Sequence, residues 1–236
     1  MASTLKQLRE RIQADLDLED ETFIIDSDIN SWINDAIRKA EAEIHTLYED
    51  YFLAEASITV TAGTKLYDYP SDVYANKIRK ILFHDSGKTT SHEVKRVKNL
   101  INASTRDIYD TTSGSNYILE WSPINDATDG RKIRIFPEIA RSGTLRVWYI
   151  RNAKQLSADT DTCDIDEFER YILQSVKTEC FFKDGDPRAI QSKQLEEQLK
   201  QDMINTLSNM VPDNNTEIPM DFSFYEDILD DSLGGD

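Results

Sequence analysis

Apolar residues recur at helical spacing near the start of the chain. Leu5, Leu8, Ile12 and Leu16 predict a short amphipathic helix over 3–16. A stronger pattern follows: Ile29, Trp32, Ile33, Ala36, Ile37, Ala40, Ile44, Leu47, Tyr48 and Tyr51 form one apolar stripe. Asn34, Asp35, Arg38, Lys39, Glu41 and Glu43 take the other side, and Asp26, Ser27 and Asp28 offer N-caps.

The period then shortens to two. Ala56, Ile58 and Val60 alternate with Ser57, Thr59 and Thr61, and Ala62-Gly63-Thr64 supplies a turn. Further strands are expected at 76–84, 116–122, 131–136 and 143–151, the last alternating Leu145, Val147 and Tyr149 with Arg146, Trp148 and Ile150. Pro70, Pro123 and Pro137 are expected between these runs, where they end strands without removing ladder donors. Residues 93–112 are polar and mixed and read as a short helix in a long excursion.

Helical spacing returns at Phe168, Ile172, Val176 and Cys180, behind the acidic lead-in Cys163-Asp-Ile-Asp-Glu. Gly185-Asp186-Pro187 then supplies a C′ glycine, an N-cap and an N1 proline for a last helix. Leu195, Leu199, Met203, Leu207 and Met210 give that helix a narrow apolar stripe. The expected fold is α+β: a helical bundle of two N-terminal helices plus a C-terminal helix hairpin, with a β-rich insertion and an extended acidic C-terminal tail. In residue numbers, 1–54 and 152–210 form the helical core, 55–151 the insertion and 211–236 the tail.

Composition narrows the function. At 236 residues and 27.1 kDa the chain can bury a real core. A formal net charge of −17 argues against non-specific DNA binding, which needs clustered Lys and Arg, but not against a protein that surrounds DNA without holding it. The N-terminus lacks an apolar signal core and no run reaches membrane-spanning length, so synthesis in the cytosol is expected. Two cysteines, Cys163 and Cys180, are too few for a disulfide framework or a metal-ligand set.

The tail stands apart. Asp213, Glu217, Asp221, Glu226, Asp227, Asp230, Asp231 and Asp236 lie in it, and no Lys or Arg follows Lys200. One-signed charge argues against independent packing, while Phe222, Phe224, Tyr225, Ile228 and Leu229 argue against a mere solvated end. These five residues are the expected partner-binding anchors of a strap that folds onto something else.

Catalytic and metal motifs fail on inspection. Gly87-Lys88-Thr89 would need a glycine five residues earlier to close a phosphate loop, where Leu82 stands, so it reads as a hairpin turn. A calcium loop beginning at Asp159 would need an oxygen ligand at Cys163, a glycine at Asp164 and a carboxylate at Arg170. The stretch reads instead as a turn whose carboxylates cap the next helix. His84 and His92, with Asp85 and Glu93, lack a third ligand at recognisable spacing. No nucleophile elbow is present, and no catalytic residue, cofactor or metal is expected.

Taken in order, several segments resemble the tailed-phage head–tail connector (portal adaptor) proteins. Asp28-Ile29-Asn30-Ser31-Trp32-Ile33-Asn34-Asp35-Ala36 is similar to that family's second helix. Residues from Thr59 to Asp72, with Gly63 and Tyr67-Asp-Tyr-Pro70-Ser-Asp72, resemble its strand, glycine turn and Tyr-x-x-Pro-x-Asp segment. Arg134-Ile-Phe-Pro137, Thr144 to Tyr149, and Leu156 to Asp161 before the helix hairpin complete the order. The resemblance spans positions 28–205 and leaves the excursion at 93–112 and the tail unmatched.

The resemblance implies a structural virion protein of the neck, a twelvefold ring between the portal and the next tail or nozzle protein. Genomic DNA would pass through it during packaging and ejection without sequence-specific binding. An acidic lumen would repel phosphate over about 8 Å at physiological salt, although solubility alone also accounts for surface carboxylates. The competing reading is an acidic cytosolic protein-binding module or regulator without catalysis. An enzyme, which would need a pocket of perturbed titratable groups, and an acidic DNA mimic, which needs neither β insertion nor docking tail, rank behind these two.

Overall fold

The computed structural model describes residues 2–18, 23–89, 91–97, 119–128 and 130–210. Helix α1 (Leu5–Leu16) opens with a reciprocal cap: Thr4 Oγ1 accepts from Gln7 N, and Gln7 Oε1 accepts from Thr4 N. Helix α2 (Asp26–Leu47) starts one residue earlier than its expected caps require. Asp26, Ser27 and Asp28 lie inside its first turn, and the Asp28 carboxylate reaches back to Ile25 N at 3.3 Å. Tyr48 and Tyr51 fall beyond α2, where one 3₁₀ turn (Glu49–Phe52) buries Phe52 and steers the chain into the sheet.

The described residues form seven strands: β1 (Leu53–Val60), β2 (Leu66–Asp68), β3 (Val73–Asp85), β4 (Ser91–Arg96), β5 (Glu120–Asp126), β6 (Gly130–Phe136) and β7 (Gly143–Arg151). They form one sheet in the order β1-β7-β3-β4-β5-β6-β2. Every neighbouring pair is antiparallel except β4 and β5. Alternation in β1 and β7 holds as expected, with Leu145, Val147 and Tyr149 buried. Gly143 is required where β7 begins, because a Cβ there would lie 2.2 Å from the carbonyl oxygen of His84.

Two expectations fail in the sheet. Residues 93–96, read as part of a helical excursion, belong to β4, and the rest of that stretch lies outside the described residues apart from Val97. Pro123 stands inside β5 rather than at its end, opposite Ile133. Leu119 and Trp121 turn their carbonyls to β4, accepting from Lys95 N and Val97 N. By the two-residue period Pro123 turns its donorless nitrogen to the same side, away from β6, so no β6 hydrogen bond is lost.

The edge strands β1 and β2 are consecutive in sequence, joined by residues 61–65 alone. A flat sheet of seven strands would hold its edges ~29 Å apart, whereas that link spans at most ~20 Å. The sheet therefore curls toward a barrel. All seven strands feed one apolar cluster, among them Val60, Tyr67, Phe83, Val94, Trp121, Ile133 and Val147.

After β7 a 3₁₀ turn (Asp166–Phe168) leads into α3 (Glu169–Asp184), and Gly185, left-handed at φ 72°, turns the chain into α4 (Ala189–Met210). The four helices of the described residues share a second cluster, which β7 touches only through Ile150. The stripe on α4 differs from expectation. Leu195 is exposed, while Ser192 and Glu196 are buried beside Met203 and Leu207. Hydrogen bonding explains the exchange, because Gln174 Nε2 reaches Ser192 Oγ at 2.7 Å and Thr178 Oγ1 lies 2.9 Å from it. Glu196 is met by Lys193 at 3.0 Å. A polar seam thus joins α3 to α4 where leucines were expected.

Candidate interaction surfaces

The side chains that hinted at chemistry are structural. Asp85 accepts from Gly87 N at 3.0 Å and pairs with Arg141, so Gly87-Lys88-Thr89 is the β3–β4 hairpin turn. The carboxylates of 159–164 do not cap α3. Asp161 accepts from Ser157 N and Ala158 N, both at 2.8 Å, and from Lys154; Asp159 pairs with Arg9, and Asp164 with Arg151. These bonds hold the Asp161 carboxyl well below the usual carboxylate range. His84 Nδ1 lies 3.4 Å from Ser91 Oγ across the hairpin. Among the described residues no group of three or more His, Cys, Asp or Glu could hold a metal ion.

Both cysteines are buried, and burial pushes the Cys163 thiol up to about 11 and Cys180 up to about 12. Burial therefore favours the protonated thiol at both positions. In the segment that resembles the connector family's Tyr-x-x-Pro-x-Asp run, Tyr67 donates to Thr64 O at 2.7 Å. Asp72 accepts from Tyr149 Oη at 2.8 Å. Those residues fasten the β2–β3 loop to β7 and to the turn before β2. No helix among the described residues is long and apolar enough to cross a membrane.

Among the described residues two places stand out as open to partners. The first is the end of the helical layer where α2 starts and α3 turns into α4. Phe23, Ile25, Phe182 and Ile190 are exposed there, and Lys183 lies over the rings of Phe23 and Trp32 while pairing with Asp28. Arg188 similarly covers Phe181. Leu195 extends this apolar trace along α4.

The second is one mouth of the curled sheet. Arg96 continues the inward parity of Val94, Arg131 that of Ile133 and Ile135, and Tyr69 that of Tyr67. Arg96 stands over the buried Trp121 ring at 5.6 Å. Both arginines are exposed, and both lie close enough to Tyr69 to favour its ionised form against the burial that raises it. The Tyr69 hydroxyl is buried and has no hydrogen-bond partner among the described residues.

Charge is divided unevenly along the chain. Residues 55–151 carry fifteen Lys and Arg against eleven Asp and Glu, a balance of +4. Residues 1–54 and 152–210 together carry twelve against twenty-five, or −13, and 211–236 none against eight, or −8. The expected anchors Phe222, Phe224, Tyr225, Ile228 and Leu229 lie outside the described residues. Neither the barrel mouth nor the polar seam was signalled by the sequence. Single arginines in alternating strands carry no spacing signature until curvature brings them to one rim.

A family model described as SU10 adaptor protein matches residues 3–217. Comparison with curated proteins finds no match.

Proposed function

This chain belongs to the SU10 adaptor protein family and is a structural component of a phage virion, and from that premise we propose that it forms a ring between the portal and the next tail or nozzle protein. The observation that carries the reading is the family match over residues 3–217. The ring is twelvefold, and genomic DNA passes through it during packaging and ejection without sequence-specific contact. Its role is mechanical and involves no catalysis. The division of charge supports the DNA-passing role: with −13 on the helical segments, a channel lined by them repels phosphate over about 8 Å.

Three units divide the work in this reading. Residues 1–54 with 152–210 form the helical unit, 55–151 the β unit and 211–236 a docking strap. The exposed Phe23, Ile25, Phe182 and Ile190 suit a contact with an adjacent subunit or the portal. The strap, fully extended, reaches roughly 85 Å, and its five anchors latch onto a neighbouring copy. Electron microscopy of the protein mixed with its portal tests the ring. A closed ring on the portal is expected; a soluble one-to-one pair would overturn the proposal in favour of a binding module.

A further inference from the structure

We infer that the barrel mouth formed by Arg96, Arg131, Tyr69 and Trp121 is a carboxylate-binding site, and that its occupant is the acidic aromatic strap, residues 211–236. The inference rests on the latch reading above and names the surface that receives the latch.

Three observations converge on it. The mouth presents two exposed guanidinium groups with no ion pair among the described residues, although most other cations of the β unit are paired. The Tyr69 hydroxyl of the same mouth is buried and has no hydrogen-bond partner among the described residues. An arginine fork binds a carboxylate through two parallel hydrogen bonds, and a phenol hydroxyl supplies a third donor to the same anion. The buried Trp121 ring beneath Arg96 holds that guanidinium in place by a cation–π contact, leaving its edge for a ligand.

The charge division then selects the occupant. A segment with eight carboxylates and no cation is repelled by its own helical segments at −13, and the β unit at +4 is the only net-positive part of the chain. Phe224-Tyr225-Glu226-Asp227 places two aromatic rings directly before two carboxylates. That order offers a carboxylate to each arginine and an apolar face to the rim. DNA fits the mouth less well. Phosphate binding strong enough to hold a duplex needs many clustered cations, and the described residues of this mouth offer two. The anchors also lie beyond residue 217, where the family match ends, so this contact belongs to the particular chain.

A photo-crosslinking phenylalanine analogue at position 224 of the full-length protein tests the site directly. Crosslinks are expected on peptides containing Tyr69, Arg96 or Arg131, and a synthetic 219–231 peptide should compete them away. The double variant Arg96→Glu/Arg131→Glu should lose crosslinking by about tenfold or more, with circular dichroism unchanged and Tm lowered by no more than a few degrees from loss of the Arg96–Trp121 contact. Crosslinks confined to Phe182 and Ile190, no crosslinks, or unchanged yield in the double variant would overturn the inference. A short DNA duplex that binds the wild type and not the double variant, with strap crosslinks unaffected, would assign the mouth to phosphate instead. None of these readouts requires a portal, so the ring can fail while the site stands, or the reverse.

Discussion

Asn34 on α2 and Leu156 after β7 exchange two hydrogen bonds: the side-chain amide donates to Leu156 O at 2.9 Å, and Leu156 N donates to Asn34 Oδ1 at 2.8 Å. Two turns along, Glu41 Oε1 accepts from Ala153 N at 2.7 Å. The polar side of α2 therefore acts as a ladder for the chain returning from the sheet. Asn34→Ala removes both partners of a part-buried backbone amide. It should cost about 1–3 kcal/mol in urea unfolding, and Asn34→Asp, which keeps only the acceptor, should fall between.

His45 lies flat on Tyr74, ring centroids 3.6 Å apart and planes 13° from parallel; its ring nitrogens make no hydrogen bond among the described residues, and Nε2 lies 3.5 Å from Glu41 Oε1. The ring packs against Tyr74 and Phe52, so a phenyl ring should keep that packing and lose only the contact with Glu41. His45→Phe is expected to be neutral or to raise Tm, whereas Tyr74→Ala should lower stability by opening a gap in the stack. A loss of more than about 1 kcal/mol in His45→Phe would show that the imidazole nitrogens matter.

Acid should loosen the turn that receives α1. Asp161 O accepts from Leu5 N, and the Asp161 carboxylate, bonded to Ser157, Ala158 and Lys154, titrates below its ordinary value. Its contribution is therefore complete above the unfolded aspartate value of about 3.9 and is lost as pH falls below it. Stability measured between pH 5 and pH 2, as an approximate window, should decline less steeply in Asp161→Asn than in the wild type.

Thiol chemistry should report folding and nothing else. With both cysteines buried and their thiols shifted upward, a disulfide reagent at neutral pH should leave the native protein almost unlabelled. Denaturant should release two reactive groups. Rapid labelling of the native chain would mean that α3 opens readily.

A chain stopped after Val211 should remain folded, because α4 closes the helical core through Met203 and Leu207 before that point. It should fail to enter assembled particles, as scored by its presence in purified virions. Normal incorporation would refute the strap's role.

Patterning carried much of the fold. The stripe on α2 and the alternation in β1 and β7 were plain because each buries one face against one core, which is what periodicity detects. Three features escaped for definite reasons. Strand β4 buries a single residue, Val94, so it has no alternation to read. Pro123 is tolerated because its nitrogen faces away from β6, which depends on pairing rather than on local sequence. Ser192 and Glu196 displace Leu195 from the α3–α4 seam because Gln174, Thr178 and Lys193 supply partners from other positions. The mouth arginines become a site only when distant strands curl together.

Strands β1 and β7 run side by side through eight residue pairs, from Leu53↔Ile150 to Val60↔Gly143. The polypeptide thus leaves the helices and comes back to them through two adjacent strands. Anything carried between those strands is a cassette: loops there can lengthen, shorten or be exchanged while the two attachment points stay about 5 Å apart. A lineage of such proteins can revise what the barrel touches without redesigning the helices.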